Sequence, residues 1–373
     1  MQIIAVTNKS LQARFIDLPY MLYANHPYWV PPLRIDTKTQ LSPKKNPFFK
    51  YADHILFLAT EGGHDVGRIG VFHNRKHNDI YNVNVGMFGY LDMVDDPEVT
   101  RGLFDAAQAW LAKYNATEII GPFNPDINGT MGLLVSGYDA PPMVQMTYNE
   151  PYYREHLEGL GMTKAKDVYA WDMYSETAIA PRIRQHVERI EGFGKFIVRK
   201  ANLKNFEQEA AIIKAIYNQA WAENWGALWL DDQEFDHIAQ DLKLLVDPDL
   251  SYIAEVDGQP AGVSITLPNI NEALKRIPNG RLFPSGLLKL LWYKRRLTSL
   301  RVLIMGVVKD YRHWGIDAVF YLRTYDAALA KGYKHGEMSW ILEDNDLMNN
   351  ALEKLGAKIA KTYRIYRLSI ESN

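Results

Sequence analysis

The clearest pattern in the chain lies between residues 302 and 330, where a strand-like apolar run is followed by a helical one. Val302–Val308 is almost wholly apolar, as expected of a strand that is buried on both faces. After a short polar turn, apolar residues recur with a period of 3.6 and form one helical face: Ala318, Tyr321, Leu322, Tyr325 and Leu329. The pattern predicts a strand, a tight turn and a helix that packs against a sheet.

The turn between this strand and helix has the composition of an anion-binding site. The first N–H groups of a helix have no partners within it, and the helix dipole adds partial positive charge there. Gly315 allows the backbone to approach an anion closely, and Arg312 adds a full charge. Taken alone, the turn is also compatible with an ordinary connection between a strand and a helix.

Downstream, the pattern predicts a strand, a capped helix that ends at Leu355-Gly356, and a closing strand. Together with Arg312-x-x-Gly315 and Asn345, this order resembles the acetyl-CoA-binding core of the GNAT superfamily of N-acyltransferases. The resemblance implies that acetyl-CoA or a longer acyl-CoA is the co-substrate. Its expected contacts are Val307, Val308, Arg312, His313, Trp314, Gly315, Ile316, Asp317, Ala318 and Asn345.

Three positions depart from the superfamily pattern. Asp317 stands where a second Gly or Ala is usual, and Ala357 replaces the usual Phe. Leu352 stands where many members have a tyrosine that protonates the leaving thiolate. Phosphate binding is still expected, but the general acid lacks its usual residue.

The chemistry that the resemblance implies is direct transfer of an acyl group from a CoA thioester to an amine. An alkyl amine with a pKa of ~10.4 is mostly protonated at pH 7, so its deprotonation costs roughly 4–5 kcal/mol before attack. Glu337 and Glu343 are the candidate bases, and Tyr366 is a candidate acid. A backbone N–H within Met305–Val308 is expected to bind the carbonyl oxygen, with Gly306 at a bulge. Solvated or capping carboxylates and a packed tyrosine are the alternative roles.

A polar, tryptophan-rich stretch ends the first helix of the second half of the chain. In this superfamily that region borders the acceptor, so Trp221, Asn224 and Trp225 are predicted to contact the amine substrate. A tryptophan-rich corner of the core would give the same pattern.

The chain contains this module twice. Leu157–Met162 aligns with Leu352–Ala357 without a gap, and the alternating strands that follow them align as well. Two GNAT-like domains are therefore predicted, at residues 1–175 and 196–373, with residues 176–195 as a linker that contains a short helix. The predicted fold class is α/β, with a central mixed sheet flanked by helices in each domain.

The two copies differ in charge at the turn that would hold a diphosphate. In the first copy the turn is Asp95-Asp96-Pro97-Glu98, which has three carboxylates and a proline that lacks an N–H. The first copy is therefore predicted to be degenerate. Its long loop Pro122–Tyr148 is a candidate lid over the acceptor, or else a packing element.

Composition narrows the range of partners. The formal net charge of −2 argues against broad nucleic-acid binding. The chain has no cysteine, which excludes disulfides and thiolate metal sites and fits a cytoplasmic protein. No apolar run approaches the ~20 residues that span a bilayer, and the ten histidines show no metal-ligand spacing, so no metal is expected.

Residues 286–297 form a segment that is both apolar and basic. Leu287, Leu290, Leu291 and Lys294 share one helical face, and further basic residues surround it. The segment is predicted to lie peripherally on an anionic membrane or to cover a lipid-like acceptor, with an ordinary packing helix as the alternative. In that respect the chain resembles bacterial ceramide synthase-like acyltransferases with GNAT folds, and a small-molecule or lipid-like amine is the expected acceptor.

Three functions are compatible with the sequence. The first is an acyl-CoA-dependent N-acyltransferase that acts on an unidentified amine. The second is an aminoacyl-tRNA-dependent transferase of similar tandem fold, which would require a basic groove. The third is a non-catalytic acyl-CoA-binding protein, in line with the departures at Asp317 and Leu352. The sequence does not determine the oligomeric state.

Overall fold

The computed structural model describes residues 1–370, in which strands and helices follow one another in two similar series. The strands, in chain order, are β1 (Gln2–Ala5), β2 (Ala52–Glu61), β3 (His64–Asn74), β4 (Val85–Met93), β5 (Glu118–Gly121), β6 (Phe123–Asn124), β7 (Thr130–Met131), β8 (Leu133–Ser136), β9 (Thr163–Tyr174), β10 (Ile197–Lys200), β11 (Tyr252–Val256), β12 (Gln259–Pro268), β13 (Ser299–Val307), β14 (His335–Leu342) and β15 (Lys358–Ser369).

The α-helices follow the same repeated order. They are α1 (Lys9–Leu22), α2 (Arg34–Gln40), α3 (Arg75–Tyr81), α4 (Pro97–Leu111), α5 (Tyr152–Gly159), α6 (Pro181–Gly192), α7 (Phe206–Ala220), α8 (Asp232–Lys243), α9 (Asn271–Leu274), α10 (Gly286–Tyr293), α11 (Ile316–Ala330) and α12 (Asp346–Lys354). Among the residues described, no helix combines the length and the apolar character needed to cross a membrane.

The chain forms two compact units, each assembled from separate stretches. Unit 1 comprises Met1–Val168, Asn271–Tyr293 and the chain from Lys361 onward. Unit 2 comprises Tyr169–Ile270 and Lys294–Ala360. The chain passes from one unit to the other within β9 and again within β15. A repeated module need not coincide with a compact unit. The predicted domains 1–175 and 196–373, with a linker at 176–195, therefore stay a prediction about the modules.

Unit 1 is built on a mixed sheet. Strands β1 to β4 are antiparallel neighbours in that order, and β5 lies parallel to β4, from Val85 opposite Glu118 to Met87 opposite Ile120. Strand β15 pairs antiparallel with both β5 and β8. Helix α4 buries Leu103 and other apolar side chains in the core of this unit.

Unit 2 has the same kind of sheet, which confirms the predicted fold class. Strands β10 to β13 are antiparallel neighbours, and β14 lies parallel to β13. Helix α11 covers this sheet with Ile316, Val319 and Phe320, all fully buried. The predicted face is therefore only partly right: Tyr321 and Leu322 are buried, but Leu329 is 38 % exposed. The helix begins at Ile316, and its buried stripe runs from that residue.

The helix predicted within the linker is α6, and it belongs to the core of unit 2. Its Val187 is buried in that core. Arg184 donates two hydrogen bonds of 2.9 Å to Asp326 of α11. Ile190 packs so closely on Gly315 that a Cβ there would lie 2.6 Å from its Cδ1. The helix thus supports the turn before α11 as well as connecting the two modules.

In unit 1, the hairpin of β6 and β7 packs against β4. The backbone N–H of Tyr90 donates a hydrogen bond of 2.6 Å to Oδ1 of Asn124. A Cβ on Gly89 would lie 1.7 Å from the carbonyl oxygen of Phe123, so only glycine permits this packing. The start of the loop Pro122–Tyr148 is therefore a packed part of unit 1 rather than a free lid.

Candidate functional site

A cleft opens in unit 2 where β13 and β14 part. Their parallel pairing runs from Ser299 with His335 to Val302 with Met338, although both strands continue beyond it. The cleft has a volume of about 1560 Å³ including its open mouth. Its walls are the diverging parts of both strands, the start of α11 and the residues that follow α7. A strand edge without a neighbour presents N–H and C=O groups, so β13 can offer donors to a ligand here.

The irregularity in β13 lies at Leu303 rather than at Gly306. The register of β13 against β12 shifts by one residue at Leu303, whereas Gly306 pairs regularly with Val263. A Cβ on Gly306 would lie 2.4 Å from the ring of Trp221. The predicted bulge at Gly306 is therefore wrong, and close packing by the tryptophan accounts for the glycine.

The predicted acceptor residues come together along one wall of the cleft. Trp221, Asn224 and Trp225 all line it. Trp221 stacks on Tyr217 with 4.8 Å between ring centroids, which fixes the plane of the indole. The backbone N–H of Asn224 donates to the Trp221 carbonyl at 2.9 Å and closes the turn that holds the two tryptophans together.

The turn before α11 has the shape of a phosphate site, but its cations already have partners. Gly315 adopts the left-handed region with φ 76°. Arg312 lines the cleft, and its guanidinium donates to the carbonyl of Ala220 at 2.9 Å. Lys309 donates to the exposed carboxylate of Glu223 at 2.6 Å, and this bond lowers the pKa of Glu223. Glu223 also lies 3.9 Å from Arg312. An incoming diphosphate therefore has to replace Glu223.

Asp317 interferes more directly with a phosphate at this turn. Its side chain lines the cleft beside the first backbone N–H groups of α11, those of Asp317 and Ala318. These are groups that a bound phosphate would use at a helix N-terminus. Burial raises the pKa of the Asp317 carboxyl, and the backbone N–H groups of Ala318 and Asp317 oppose part of the rise. The shape of the turn thus fits a CoA diphosphate, but the carboxylates of Glu223 and Asp317 offset part of its positive charge.

The other residues predicted to contact acyl-CoA differ in whether they line the cleft. Val307 and Asn345 line the cleft, and the Asn345 side chain also caps α12 by accepting the N–H of Met348 at 3.2 Å. Ile316 is fully buried in the core. The remaining predicted contacts surround the turn without belonging to the cleft wall among the described residues: Val308, His313, Trp314, Gly315 and Ala318.

Glu337 is buried behind the cleft and connects to it through Ser339. The hydroxyl of Ser339, which lines the cleft, donates to Glu337 Oε1 at 2.6 Å. The fully buried Arg301 donates to the same hydroxyl from Nε at 2.9 Å. Sequence reasoning missed Ser339, although its spacing of two residues from Glu337 places both on one face of a strand. A polar residue at that spacing was the available signal.

The structure does not bring Glu343 and Tyr366 to the cleft. Glu343 lies in the turn after β14, where its neighbour Asp344 lines the cleft instead. Tyr366 belongs to the core of unit 1, where its hydroxyl donates to Glu158 at 3.0 Å. Burial, with that hydrogen bond, raises the pKa of Tyr366. The assignment of Tyr366 as the acid is withdrawn, because β15 enters unit 1 at Lys361.

In the first copy of the module, the corresponding turn is closed by its own acidic residues. Asp96 caps α4 by accepting the N–H of Glu98 at 2.8 Å, and Pro97 is the first helical residue. Asp95 lies 3.0 Å from the ring of His156. Together with the β6–β7 hairpin against β4, this arrangement agrees with the prediction of a degenerate first copy.

No protein-family model matches the chain. Protein YghO of Escherichia coli K12 is 38 % identical over 97 % of this chain and 94 % of its own length. A protein of Caulobacter vibrioides named bacterial ceramide synthase is 37 % identical over 99 % of this chain and 98 % of its own length.

Solved structures with the same fold include a tandem GNAT protein from the clavulanic acid biosynthesis pathway. It matches with a TM-score of 0.59 and 11 % identity over 100 % of this chain and 99 % of its own. A GCN5-related glucosamine N-acetyltransferase region of a fungal multi-domain GH3 β-N-acetylglucosaminidase matches with a TM-score of 0.58 and 14 % identity. That match covers 98 % of this chain and 38 % of the fungal protein. The chain thus has a tandem GNAT fold and belongs to the family that includes Escherichia coli YghO and the Caulobacter ceramide synthase.

Proposed function

We propose that this protein is an N-acyltransferase that moves a long fatty acyl group from CoA to a lipid-like amine. The observation that carries the proposal is an apolar cavity of about 600 Å³, including its mouth, next to the cleft. Four residues line both spaces: Val302, Met305, Tyr321 and Met338. An acyl chain whose thioester lies in the cleft would therefore pass these four side chains to reach the cavity.

The cavity wall suits hydrocarbon. Helix α11 contributes Ala328 and Leu329, α12 contributes Leu352, and Leu355 directly follows α12. Each buried CH₂ group contributes about 0.8 kcal/mol, so a longer chain binds more tightly until the cavity is filled. The cavity also explains why leucine stands at position 352 instead of the usual tyrosine, because a tyrosine would bring a hydroxyl group to an apolar wall.

The residues around the strand gap can carry out acyl transfer. The amine nitrogen attacks the thioester carbon, and a backbone N–H on the edge of β13 stabilises the carbonyl oxygen as it becomes negative. Ser339 lies in position to take the amine proton and relay it to Glu337. The C–N bond forms and the C–S bond breaks; Glu337 holds the proton taken from the amine and later releases it to solvent, and the departing thiolate takes up a proton from solvent.

The name of the Caulobacter relative suggests the acceptor. A ceramide is an amide of a long-chain amino alcohol, and that protein is named a ceramide synthase. In this chain Trp221 and Trp225 offer an apolar wall beside the polar Asn224. Such a wall suits an amine that carries a hydrocarbon chain and hydroxyl groups.

Binding of acyl-CoA requires an exchange of partners at the turn before α11. The donor phosphates replace Glu223 as the partner of Lys309 and Arg312, and they meet the Asp317 carboxyl. The pair of Lys309 and Glu223 is exposed, and an exposed ion pair is weak enough for a diphosphate to displace. Without a donor, the cations of the turn are therefore paired with Glu223, and bound phosphates can take the place of that carboxylate.

The test is an assay of donors and acceptors with the purified full chain. Acyl-CoA donors from acetyl to palmitoyl are combined with a long-chain amino alcohol or with short amines, and released thiol and amide product are measured. The expected result is amide formation whose kcat/KM rises with acyl length. Acyl-CoA binding without thiol release from any combination would indicate the non-catalytic alternative. Transfer from aminoacyl-tRNA alone would favour the second function.

A pair of variants tests the cavity. Ala328→Phe fills the cavity, whereas Ala330→Phe adds the same ring to an exposed position at the end of α11. The first variant is expected to lower palmitoyl transfer at least tenfold while acetyl transfer stays within about twofold, because only the long chain needs the space. The second variant should resemble the wild type. Equal losses with both donors would show that the acyl chain lies elsewhere.

A further inference from the structure

We infer that the α10 surface docks on an anionic membrane. This surface consists of the side chains of Phe283, Leu288, Leu291 and Trp292, all in unit 1. Their exposed fractions are 75 %, 72 %, 55 % and 60 %, in that order. Single exposed apolar residues are common, but four large ones within ten positions form a patch that marks an interaction site.

Helix α10 is apolar on two faces, which a helix that only packs does not need. Leu287 and Leu290 are half-buried and hold the helix to unit 1. Leu288 and Leu291 project on the other side. Of the four residues that the sequence placed on one helical face, Leu287 and Leu290 are thus half-buried, whereas Leu291 and Lys294 are exposed.

The exposed side chains are held in place by the local fold. Gly286 is buried, and a Cβ there would lie 2.1 Å from the carbonyl oxygen of Arg281, so the preceding loop folds onto the start of the helix. The N–H of Leu287 donates to the carbonyl of Leu282 at 2.6 Å. Arg276 lies 5.6 Å from the centre of the Tyr293 ring. The exposure of the patch is therefore a property of the folded unit.

The positive charge near these side chains favours an anionic membrane as the partner of the α10 surface. Arg281 and Lys289 are exposed within the same stretch of unit 1. No acidic residue occurs between Glu272 and Asp310, although the whole chain is slightly acidic. Apolar side chains with a tryptophan and a dense basic flank match the interface of a bilayer that contains anionic lipid. Each basic residue near such a surface adds roughly a fivefold factor to binding.

The inference does not depend on the proposed reaction, so its test needs no substrate. The full chain is mixed with vesicles of phosphatidylcholine alone or of phosphatidylcholine with phosphatidylglycerol, and flotation is measured. The wild type is expected to float with the anionic vesicles, and added salt should weaken the binding. Failure to float with them overturns the inference, as does equal flotation with the neutral vesicles.

Variants locate the binding surface. Leu288→Glu combined with Leu291→Glu is expected to lower flotation at least tenfold, whereas Ile197→Glu, at a 68 % exposed position on β10, should not. A second variant, Arg281→Glu with Lys289→Glu, leaves the apolar residues intact and should also lose binding. Circular dichroism checks that each variant is folded.

Two outcomes would overturn the assignment. Unchanged flotation of the folded double leucine variant would mean that the membrane contact lies elsewhere. A wild-type dimer in sedimentation, lost in that variant and accompanied by no vesicle binding, would assign the surface to contact between copies of this chain.

Discussion

At the scale of single residues, Asp317 distinguishes this donor site from one built only for phosphate. Its carboxyl lies beside the first N–H groups of α11, and burial raises its pKa. The sequence alone showed that an acidic residue stands at this position, because Arg312, Gly315 and Asp317 belong to one short continuous motif. It could not show which groups the carboxyl contacts, since those contacts depend on the side-chain conformation in the folded turn.

Replacing Asp317 by Asn should strengthen acyl-CoA binding by about five- to tenfold above neutral pH, because a negative charge next to the phosphates is removed. In the wild type the carboxyl becomes neutral as the pH falls through its raised pKa, so donor affinity should rise in that range. The variant should lack this component. Calorimetry with acyl-CoA at several pH values measures both effects, and identical pH profiles would contradict the prediction.

Replacing Ser339 by Ala should lower kcat by about 10²- to 10⁴-fold, because the cleft loses its connection to the buried Glu337. The limb of the pH–rate profile that reports the base should change, while the Kd for acyl-CoA should not. Glu337→Gln should show the same profile, and Ser10→Ala, at an exposed position on α1, serves as the control. A loss of folding stability with an unchanged pH profile would point to a purely structural role.

At the scale of elements, the strand, turn and helix around the cleft were predictable because each has a strong local pattern. The position of the bulge was not, because the extra residue at Leu303 is defined only by the register of β13 against β12. For α10, the sequence predicted a possible membrane contact but not that Leu288 and Leu291 would be exposed while Leu287 and Leu290 are half-buried. Both of its faces are apolar, and periodicity cannot tell which one meets the protein.

Gly306 should be intolerant of even one added methyl group. In Gly306→Ala the Cβ would displace Trp221 from the strand, so the KM for the amine should rise about tenfold. The Kd for acyl-CoA should stay within about twofold. Gly192→Ala provides the control, since a Cβ at that position meets no atom within 4 Å. Steady-state kinetics with varied amine measures the effect, and an unchanged KM would mean that Trp221 does not contact the acceptor.

At the scale of the whole molecule, the repeat of the module was visible in the sequence, but the composition of each compact unit was not. Leu157–Met162 and Leu352–Ala357 match because they are equivalent helix ends. Tyr366 shows the limit of that comparison. Its strand begins in unit 2 and continues into unit 1, and no local periodicity indicates which sheet a strand will join.

Replacing Tyr366 by Ala should therefore destabilise unit 1 rather than the cleft. A fully buried aromatic side chain lost from a core costs about 3–5 kcal/mol. Hydrogen exchange should accelerate most in β5, where Tyr366 pairs with Gly121, and less in β13. Arg367→Ala, at an exposed position on the same strand, should have little effect. Faster exchange confined to β13 would contradict the assignment of Tyr366 to unit 1.

The passage of β15 into unit 1 also has a consequence for synthesis. The ribosome makes residues 1–168 early, but the sheet of unit 1 is completed only by residues beyond Lys361. The early part of the chain must therefore wait, with the edge of β5 unpaired by β15, until the segment beyond Lys361 has been translated. During that interval the nascent chain offers an open strand edge on which chaperones can act.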